Sequence, residues 1–251
     1  MSRLTMSLVI LSLGLAAHAT MPQEPVVVVA VIDTGIAEEL VTSKMLCKTG
    51  HKDFTGTSIV DHHGHGTHVS GLIDQYVKNI VLDDKPISLK IIQNKPAKYC
   101  QIILKYFDSK QDTDTLEAEI QAFREAIKLN VDVINFSGGG EEYSAREHAL
   151  IKEALDLGIK VVVAAGNEKS NISKRPYYPA ALDSRLYVVG NLMKDNKRAP
   201  TSNYGPKVTS WEYGTNRTSY GLKNQVTIMT GTSQAAGVKS GKLVRQMLNK
   251  R

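Results

Sequence analysis

The sequence predicts an α/β protein in which helices cover both faces of a mainly parallel β-sheet. Short, nearly continuous β-branched runs, typical of strands buried on both faces, alternate with longer stretches whose apolar residues recur at helical spacing. The strand-like runs are residues 26–32, 102–107, 131–136, 159–165 and 186–189. Alternation of this kind favours right-handed crossovers between parallel strands, so we expect a three-layer α/β/α domain.

Two helices are predicted between these strands. In residues 112–129 the apolar side chains Leu116, Ile120, Phe123 and Ile127 fall on one helical face, and Asp112 or Thr113 is the expected N-cap. Residues 144–157 form the second helix, ended by Gly158. A further helix is expected after the turn at residues 230–236, near the C-terminus.

Length and charge limit the classes of function. The 251 residues contain no repeat and no linker, which favours one large domain. The formal net charge of +6 is spread along the chain, and its basic residues are not interleaved with aromatic ones. We therefore expect no nucleic-acid partner. No segment has the roughly 20 apolar residues of a transmembrane helix, so no stable membrane insertion is expected.

The first 19 residues have the pattern of a signal peptide. Arg3 precedes a short apolar stretch, residues 8–17, and Ala17-His18-Ala19 is a small-x-small cleavage site. Cleavage after Ala19 would leave residues 20–251 as the mature domain, secreted or periplasmic. In an oxidising compartment Cys47 and Cys100 either form a disulfide or remain a buried pair of thiols, and the sequence leaves both open.

Polar residues with catalytic potential stand where the predicted strands end and helices begin. Asp33 and Asn167 follow strand-like runs, His65 lies in a glycine-rich turn before a helix, and Ser233 opens the last helix. Because active sites of parallel sheets gather at the carboxyl ends of strands, we expect these residues to meet. A carboxylate, an imidazole, a hydroxyl and an amide are the groups that acyl transfer requires.

These residues belong to motifs that resemble a known family. Asp33-Thr34-Gly35, His65-Gly66-Thr67-His68-Val69, Ala165-Gly166-Asn167 and Gly231-Thr232-Ser233 are similar, in this order, to the four signature blocks of the subtilisin-like serine proteases. Residues 133–139 resemble that family's substrate-binding strand. The resemblance covers residues 26–246 and implies a subtilisin-like fold.

The resemblance also implies a role for each residue. Ser233 would be the nucleophile, His65 the general base and then acid, and Asp33 the carboxylate that orients His65. Asn167, with the backbone N–H of Ser233, would form the oxyanion hole. Peptide or protein substrates would be cleaved in an endopeptidase reaction. The residues implied in substrate binding are Ser137, Gly138, Gly139, Ala165 and Gly166, with Gly140 continuing the glycine strand and Glu168 at the rim of the specificity pocket.

The sequence leaves other interpretations open. His63, His65 and His68 resemble a zinc-ligand run, although Thr67 stands where that pattern has Asp. Asp33-Thr34-Gly35 matches an aspartic-protease motif, but no second copy exists to share the proton. Gln234 and Gly237 replace the family's usual Met and Pro. The alternative function is therefore that of a catalytically inactive domain that binds peptides or a protein partner. Outside the triad, His62, His63 and His68 are expected on the turn surface in local hydrogen bonds.

The resemblance gives further expectations about folding and cofactors. Only a few residues separate Ala19 from the first strand, so no usual propeptide is expected, and a separate folding helper or inhibitor would fit. No cofactor is required for the reaction. Calcium would be a structural ion at most, with its ligands unassigned.

Overall fold

The chain folds around a seven-stranded sheet in which every neighbouring pair of strands is parallel. The computed structural model describes residues 26–80, 82, 98–111 and 114–250, so the predicted signal peptide lies outside it. The strands are β1 (Val27–Asp33), β2 (Lys52–Asp53), β3 (Tyr99–Lys105), β4 (Val133–Phe136), β5 (Lys160–Ala164), β6 (Tyr187–Leu192) and β7 (Ser210–Tyr213), in the spatial order β2-β3-β1-β4-β5-β6-β7.

Helices cover both faces of this sheet, as the sequence predicts for an α/β/α domain. The helices are α1 (His65–Lys78), α2 (Thr115–Lys128), α3 (Ala145–Asp156) and α4 (Thr232–Lys250), and a 3-10 turn lies at Glu38–Leu40. Outside the large sheet, β8 (Arg217–Tyr220) and β9 (Val226–Met229) form an antiparallel hairpin. In β1, Ala30 and Ile32 pack towards α2 and α3, whereas Val29 and Val31 pack towards α1 and α4. This alternation explains why the strand is apolar throughout.

Helices α1 and α4 lie unusually close together. A Cβ atom built on Gly241 would lie 2.7 Å from the carbonyl oxygen of Ile73, and one on Gly237 would lie 3.3 Å from that of Val69. Helix α4 runs continuously through both glycines, from Thr232 to Lys250. The two glycines let the backbones of the helices approach each other.

Several boundaries differ from the prediction. Strand β3 starts at Tyr99, because the buried Gln101 donates its side-chain amide to the carbonyl of Ser70 and so fits inside the sheet. The N-cap of α2 is Asp114, which accepts the N–H of Glu117; Asp112 and Thr113 lie outside the described residues. Strands β7, β8 and β9 were not predicted, because each is short and carries polar residues.

Cys47 and Cys100 form a disulfide, which resolves the alternative left open by the sequence. The bond joins the segment before β2 to strand β3 and closes a loop over a sequence separation of 53. It therefore ties one edge of the sheet to the segment that leads into it. Within the described residues, no helix is long and apolar enough to cross a membrane.

Candidate active site

An acid–base pair forms where strand β1 ends and helix α1 begins. Asp33 is the last residue of β1, and His65 is the first of α1. The imidazole Nδ1–H donates to Asp33 Oδ1 over 2.8 Å, so Nε2 is the basic nitrogen. Burial lowers the pKa of His65, but the charge and hydrogen bond of Asp33, with Asp61 at longer range, outweigh it and hold that pKa above the ordinary histidine value.

Asp61 holds this corner together, and no role was predicted for it from the sequence. Its Oδ1 accepts the Thr34 hydroxyl at 2.9 Å and the N–H groups of His63 and Gly64, at 2.9 and 2.8 Å. Its Oδ2 accepts the N–H and hydroxyl of Thr67, at 3.0 and 2.6 Å. The carboxylate therefore joins the end of β1 to the first turn of α1. An Asp shortly before a helix start was the available signal.

The nucleophile candidate lies at the N-terminus of α4. Ser233 Oγ donates to the carbonyl oxygen of Ser137 over 3.0 Å, just beyond the end of β4. Between these described residues, no hydrogen bond joins Ser233 to His65. Ser233 is largely buried, with 8 % of its surface exposed, so its hydroxyl is sheltered from bulk water. Its backbone N–H lies in the first helical turn, where amide groups have no intrahelical acceptor.

Asn167 is fixed against the same helix start. Its side-chain Oδ1 accepts the N–H of Thr232 at 3.0 Å, which orients the amide. Because Oδ1 is the acceptor, Nδ2 is the atom that can donate to a ligand. Asn167 is exposed and follows strand β5; a Cβ atom added to Gly231 would lie 3.6 Å from its Nδ2. An amide donor therefore stands beside the Ser233 turn.

The glycine strand after β4 is partly used by the chain itself. A Cβ on Gly138 would overlap the hydroxyl oxygen of Tyr106, and one on Gly139 would overlap the carbonyl oxygen of Tyr178. Gly140 exchanges two backbone hydrogen bonds with Tyr178, at 2.9 and 2.7 Å. The glycines thus admit these tyrosines, and the expectation that Gly140 offers that backbone edge to a substrate has to be corrected.

The other side of the expected specificity pocket is held by Asn203. Its Nδ2 donates to the Ala165 carbonyl at 2.8 Å and to Glu168 Oε2 at 2.6 Å, while its Oδ1 accepts the N–H of Glu168 at 3.1 Å. The N–H of Gly166 donates to the hydroxyl of Thr232 at 3.2 Å. Asn203 was not identified from the sequence, because it lies far from every motif. It positions the loop that carries Asn167.

The remaining histidines of the turn do not converge. His68 is fully buried, and its Nε2 donates to the carbonyl oxygens of Arg217 and Thr227, at 2.9 and 3.2 Å. His62 Nδ1 is hydrogen-bonded to Asp108 at 2.9 Å. His62 is exposed at the turn as expected, but its partner Asp108 is 46 residues away; the expectation of a surface position is wrong for His68. Among the described residues, no three His, Cys, Asp or Glu side chains form a group suited to a metal ion.

Comparisons with known proteins show to which family the chain belongs. The model of the subtilase family matches residues 25–247. Subtilisin DY of Bacillus licheniformis is 31% identical over 210 residues, which cover 83% of this chain and 72% of that protein. Subtilisin-like protease 1 of Pseudogymnoascus destructans is 29% identical over 82% of this chain and 48% of its own length. The chain thus spans about half the length of such fungal relatives.

Solved structures show the same fold. A cold-adapted subtilisin-like serine proteinase superimposes with a TM-score of 0.68 at 22% identity, covering 90% of this chain and 76% of its own. A lanthipeptide protease superimposes with a TM-score of 0.74 at 20% identity, covering 90% of this chain and 74% of its own. With the family model matching nearly all of the described residues, the chain belongs to the subtilase family.

Proposed function

We propose that this protein is a serine endopeptidase that cleaves peptide bonds through Asp33, His65 and Ser233. The observation that carries the proposal is the 2.8 Å bond between His65 Nδ1 and Asp33, which leaves the basic Nε2 available. Family membership supports a protease, and the sheltered hydroxyl of Ser233 at a helix N-terminus supports a nucleophile. The residues of this chain supply every group needed for acyl transfer.

In the proposed reaction, Ser233 Oγ attacks the carbonyl carbon of the substrate while its proton moves to His65 Nε2. Asp33 keeps the imidazole in the correct tautomer and stabilises the imidazolium. The Nδ2 of Asn167 and the N–H of Ser233 bind the oxyanion. His65 then delivers its proton to the leaving amine, and water hydrolyses the acyl-enzyme by the reverse sequence of proton transfers. Ser233 first has to rotate away from the Ser137 carbonyl, which accepts its hydroxyl in this structure.

The test uses intact mass after treatment with a fluorophosphonate. The reagent loses fluoride as its phosphorus bonds to an activated serine, so wild-type protein should gain one phosphonyl group. Ser233→Ala should gain none, and Ser184→Ala, at an exposed serine, should label as wild type. Asn167→Ala should lower kcat on a peptide substrate by about a hundred- to thousand-fold. Folded wild-type protein that gains no mass would overturn the proposal.

One observation favours a second candidate, a catalytically inactive domain that binds peptides or a protein partner. Ser233 Oγ is held by Ser137, not by His65, and the buried Gln234 follows it. In that case the protein would bind a peptide with micromolar or tighter affinity in fluorescence anisotropy and yield neither cleavage products nor a phosphonyl adduct. The fluorophosphonate experiment separates the two candidates directly.

Export is the third part of the proposal. It is supported by the signal-peptide pattern of residues 1–19 and by the Cys47–Cys100 disulfide, because disulfides persist in oxidising compartments. Expression of all 251 residues in a secreting host should give a mature protein that begins at Thr20. A protein retained in the cytosol with residues 1–19 intact would contradict this part alone.

A further inference from the structure

A buried ion pair lies beside the acid–base corner. Lys105 is the last residue of β3 and is the register partner of Asp33 in the neighbouring strand β1. Its ammonium donates to Asp108 Oδ2 over 2.7 Å, and the side chains of both residues are fully enclosed, with 0 % of their surface exposed. A buried charge is tolerated only when it is paired and hydrogen-bonded, so the other contacts of this pair indicate its role.

The ammonium is saturated by oxygen atoms, two of them from the loop that leads to His65. Besides Asp108, Lys105 Nζ donates to the carbonyl oxygen of Val60 at 2.7 Å and to the hydroxyl oxygen of Thr57 at 3.1 Å. A lysine ammonium has three N–H groups, and each of them has an acceptor here. The side chain thus joins the end of β3 to two points of a loop that precedes it by 45 to 48 positions in the sequence.

Asp108 is held as a carboxylate and contacts the same loop. Burial alone would raise its pKa, but the hydrogen bonds from Lys105, from the N–H of Lys110 and from His62 outweigh burial and hold that pKa well below the ordinary aspartate value. Its Oδ2 accepts His62 Nδ1–H at 2.9 Å, and its Oδ1 accepts the N–H of Lys110 at 2.9 Å. The pair is therefore ionic, and it holds the loop at residue 62 as well as at residues 57 and 60.

The contacts at residues 60 and 62 flank Asp61. The carboxylate of Asp61 accepts the N–H groups of the turn before α1 and that of Thr67 in the first turn of the helix. A displacement of residues 60–62 would therefore move the acceptor on which the start of α1 depends. Because His65 is the first residue of that helix, its distance from Asp33 would change as well.

Stability alone does not explain the pair. Because desolvation offsets most of the Coulombic attraction, a buried ion pair commonly stabilises a fold no more than apolar side chains of similar volume. The preceding residues of β3, Ile103 and Leu104, are apolar and buried. What apolar side chains lack is direction: a hydrogen bond weakens steeply with angle, so the ammonium fixes the carbonyl of Val60 in one place. Catalysis depends on such alignment, since a displacement of about 1 Å can cost about a hundredfold in rate.

We propose that Lys105 and Asp108 are positioning residues for the proposed reaction. Through Asp61 they hold the start of α1 at the place where His65 meets Asp33. Within the described residues, neither side chain of the pair is hydrogen-bonded to a member of the proposed triad, so the pair acts through the loop and not on the substrate. The inference rests on the proposed protease function and adds two residues that set the geometry of the same site.

The test replaces the pair as a unit. Lys105→Met/Asp108→Val puts apolar side chains in the same space and conserves the net charge, so its urea midpoint of unfolding should stay close to that of wild type. Without the directed contacts to the loop, kcat on a peptide substrate should fall by about tenfold or more. KM should change by less than about twofold, because the substrate-binding strand after β4 is untouched. A folded double variant with wild-type kcat would overturn the proposal.

Two controls separate position from stability. Lys105→Met alone leaves the Asp108 carboxylate buried without its cation and should unfold at a clearly lower urea concentration than the double variant. Lys152→Met/Asp156→Val removes an exposed ion pair of α3, joined at 2.6 Å, and should keep the kcat of wild type.

His62 provides a second test that does not disturb the interior. Its side chain is exposed, so His62→Ala should fold as wild type does. That variant lacks the N–H that Asp108 accepts, and kcat should fall by about threefold or more. His62→Asn, whose amide N–H can take the place of Nδ1–H, should restore kcat. Equal kcat for wild type and His62→Ala would overturn the proposal even if the double variant does not fold.

The positioning role can also be measured without activity. If wild type cleaves no peptide and gains no phosphonyl group, the proposed function fails, and NMR titration of the His65 ring is used instead. Burial lowers the pKa of His65 and Asp33 makes the largest contribution that raises it, so a longer contact between them should lower that pKa by about one unit in the double variant. Because the replaced pair has no net charge, the change reports geometry. An unchanged pKa of His65 in the folded double variant would reject the inference.

Discussion

Replacing Asp61 with asparagine tests whether one buried carboxylate organises the acid–base corner. All five groups around Asp61 are donors: two hydroxyls and three backbone N–H groups, at 2.6 to 3.0 Å. Asparagine keeps one acceptor oxygen but places an NH₂ group where Oδ2 now accepts from Thr67. The substitution therefore conserves shape and removes both the charge and the acceptor at Thr67.

The expected loss follows from these contacts. A hydrogen bond to a charged group contributes about 1.5 to 3 kcal/mol, and a buried donor left unsatisfied costs about 1 to 3 kcal/mol. The Thr67 hydroxyl can turn and accept from the new NH₂ group, but the Thr67 N–H cannot. We therefore expect Asp61→Asn to lower the free energy of unfolding by about 2 to 4 kcal/mol. The pKa of His65 should also fall, because Asp61 contributes to raising it.

The assays are urea unfolding followed by circular dichroism, and NMR titration of the His65 ring proton. Asp114→Asn is the matched control: it makes the same chemical change at the exposed N-cap of α2, where aspartate and asparagine cap equally well, so stability should change by less than about 0.5 kcal/mol. A loss below about 1 kcal/mol for Asp61→Asn, or a His65 pKa that does not fall, would refute the reasoning.

Two further predictions concern stability. Burial lowers the pKa of His68 from 6.5 to about 4. As the pH drops below 6.5, unfolded chains therefore bind a proton at this histidine while folded chains do not. The free energy of unfolding should keep its full value above pH 6.5 and fall as the pH drops towards 4, by about 3 kcal/mol in total. Urea unfolding at several pH values should show a shallower fall for His68→Gln than for His148→Gln, and equal slopes would contradict the assignment. Separately, replacing Cys47 and Cys100 with alanine should lower the free energy of unfolding by about 4 kcal/mol, as expected for a loop with a sequence separation of 53. A reductant should then destabilise the wild type and leave the double variant unchanged; a wild type insensitive to complete reduction would show that the loop constraint contributes little.

The sheet could be predicted where strands are buried on both faces. From Val27 to Ile32 in β1 and from Val161 to Ala164 in β5 every residue is apolar, so the β-branched run itself is the signal. That signal is missing from β7, whose Trp211 is 37 % exposed and whose other residues are only half-buried. The start of β3 was missed for a different reason: Gln101 is polar, and only its hydrogen bond to Ser70 makes it compatible with a buried strand.

The site shows the same division between local and distant information. Asp33, His65, Asn167 and Ser233 could be proposed from the sequence because each stands in a short motif at the end or start of an element. The bond from Ser233 to Ser137 could not be predicted, since it depends on a side-chain rotamer and on two segments 96 residues apart. His68 stands in a motif as well, but its acceptors come from the β8–β9 hairpin, which no pattern in the sequence predicted.

The position of α4 makes the proposed nucleophile, Ser233, dependent on the completion of folding. This helix packs against α1 and against five strands, β1, β4, β5, β6 and β7, while Asp33 belongs to the first of those strands along the chain. Ser233 consequently meets its partners only after every one of these elements has been built and assembled. A newly synthesised chain would therefore have no assembled site of Asp33, His65 and Ser233 until folding was complete. A damaged molecule in which α4 had detached would lose that site.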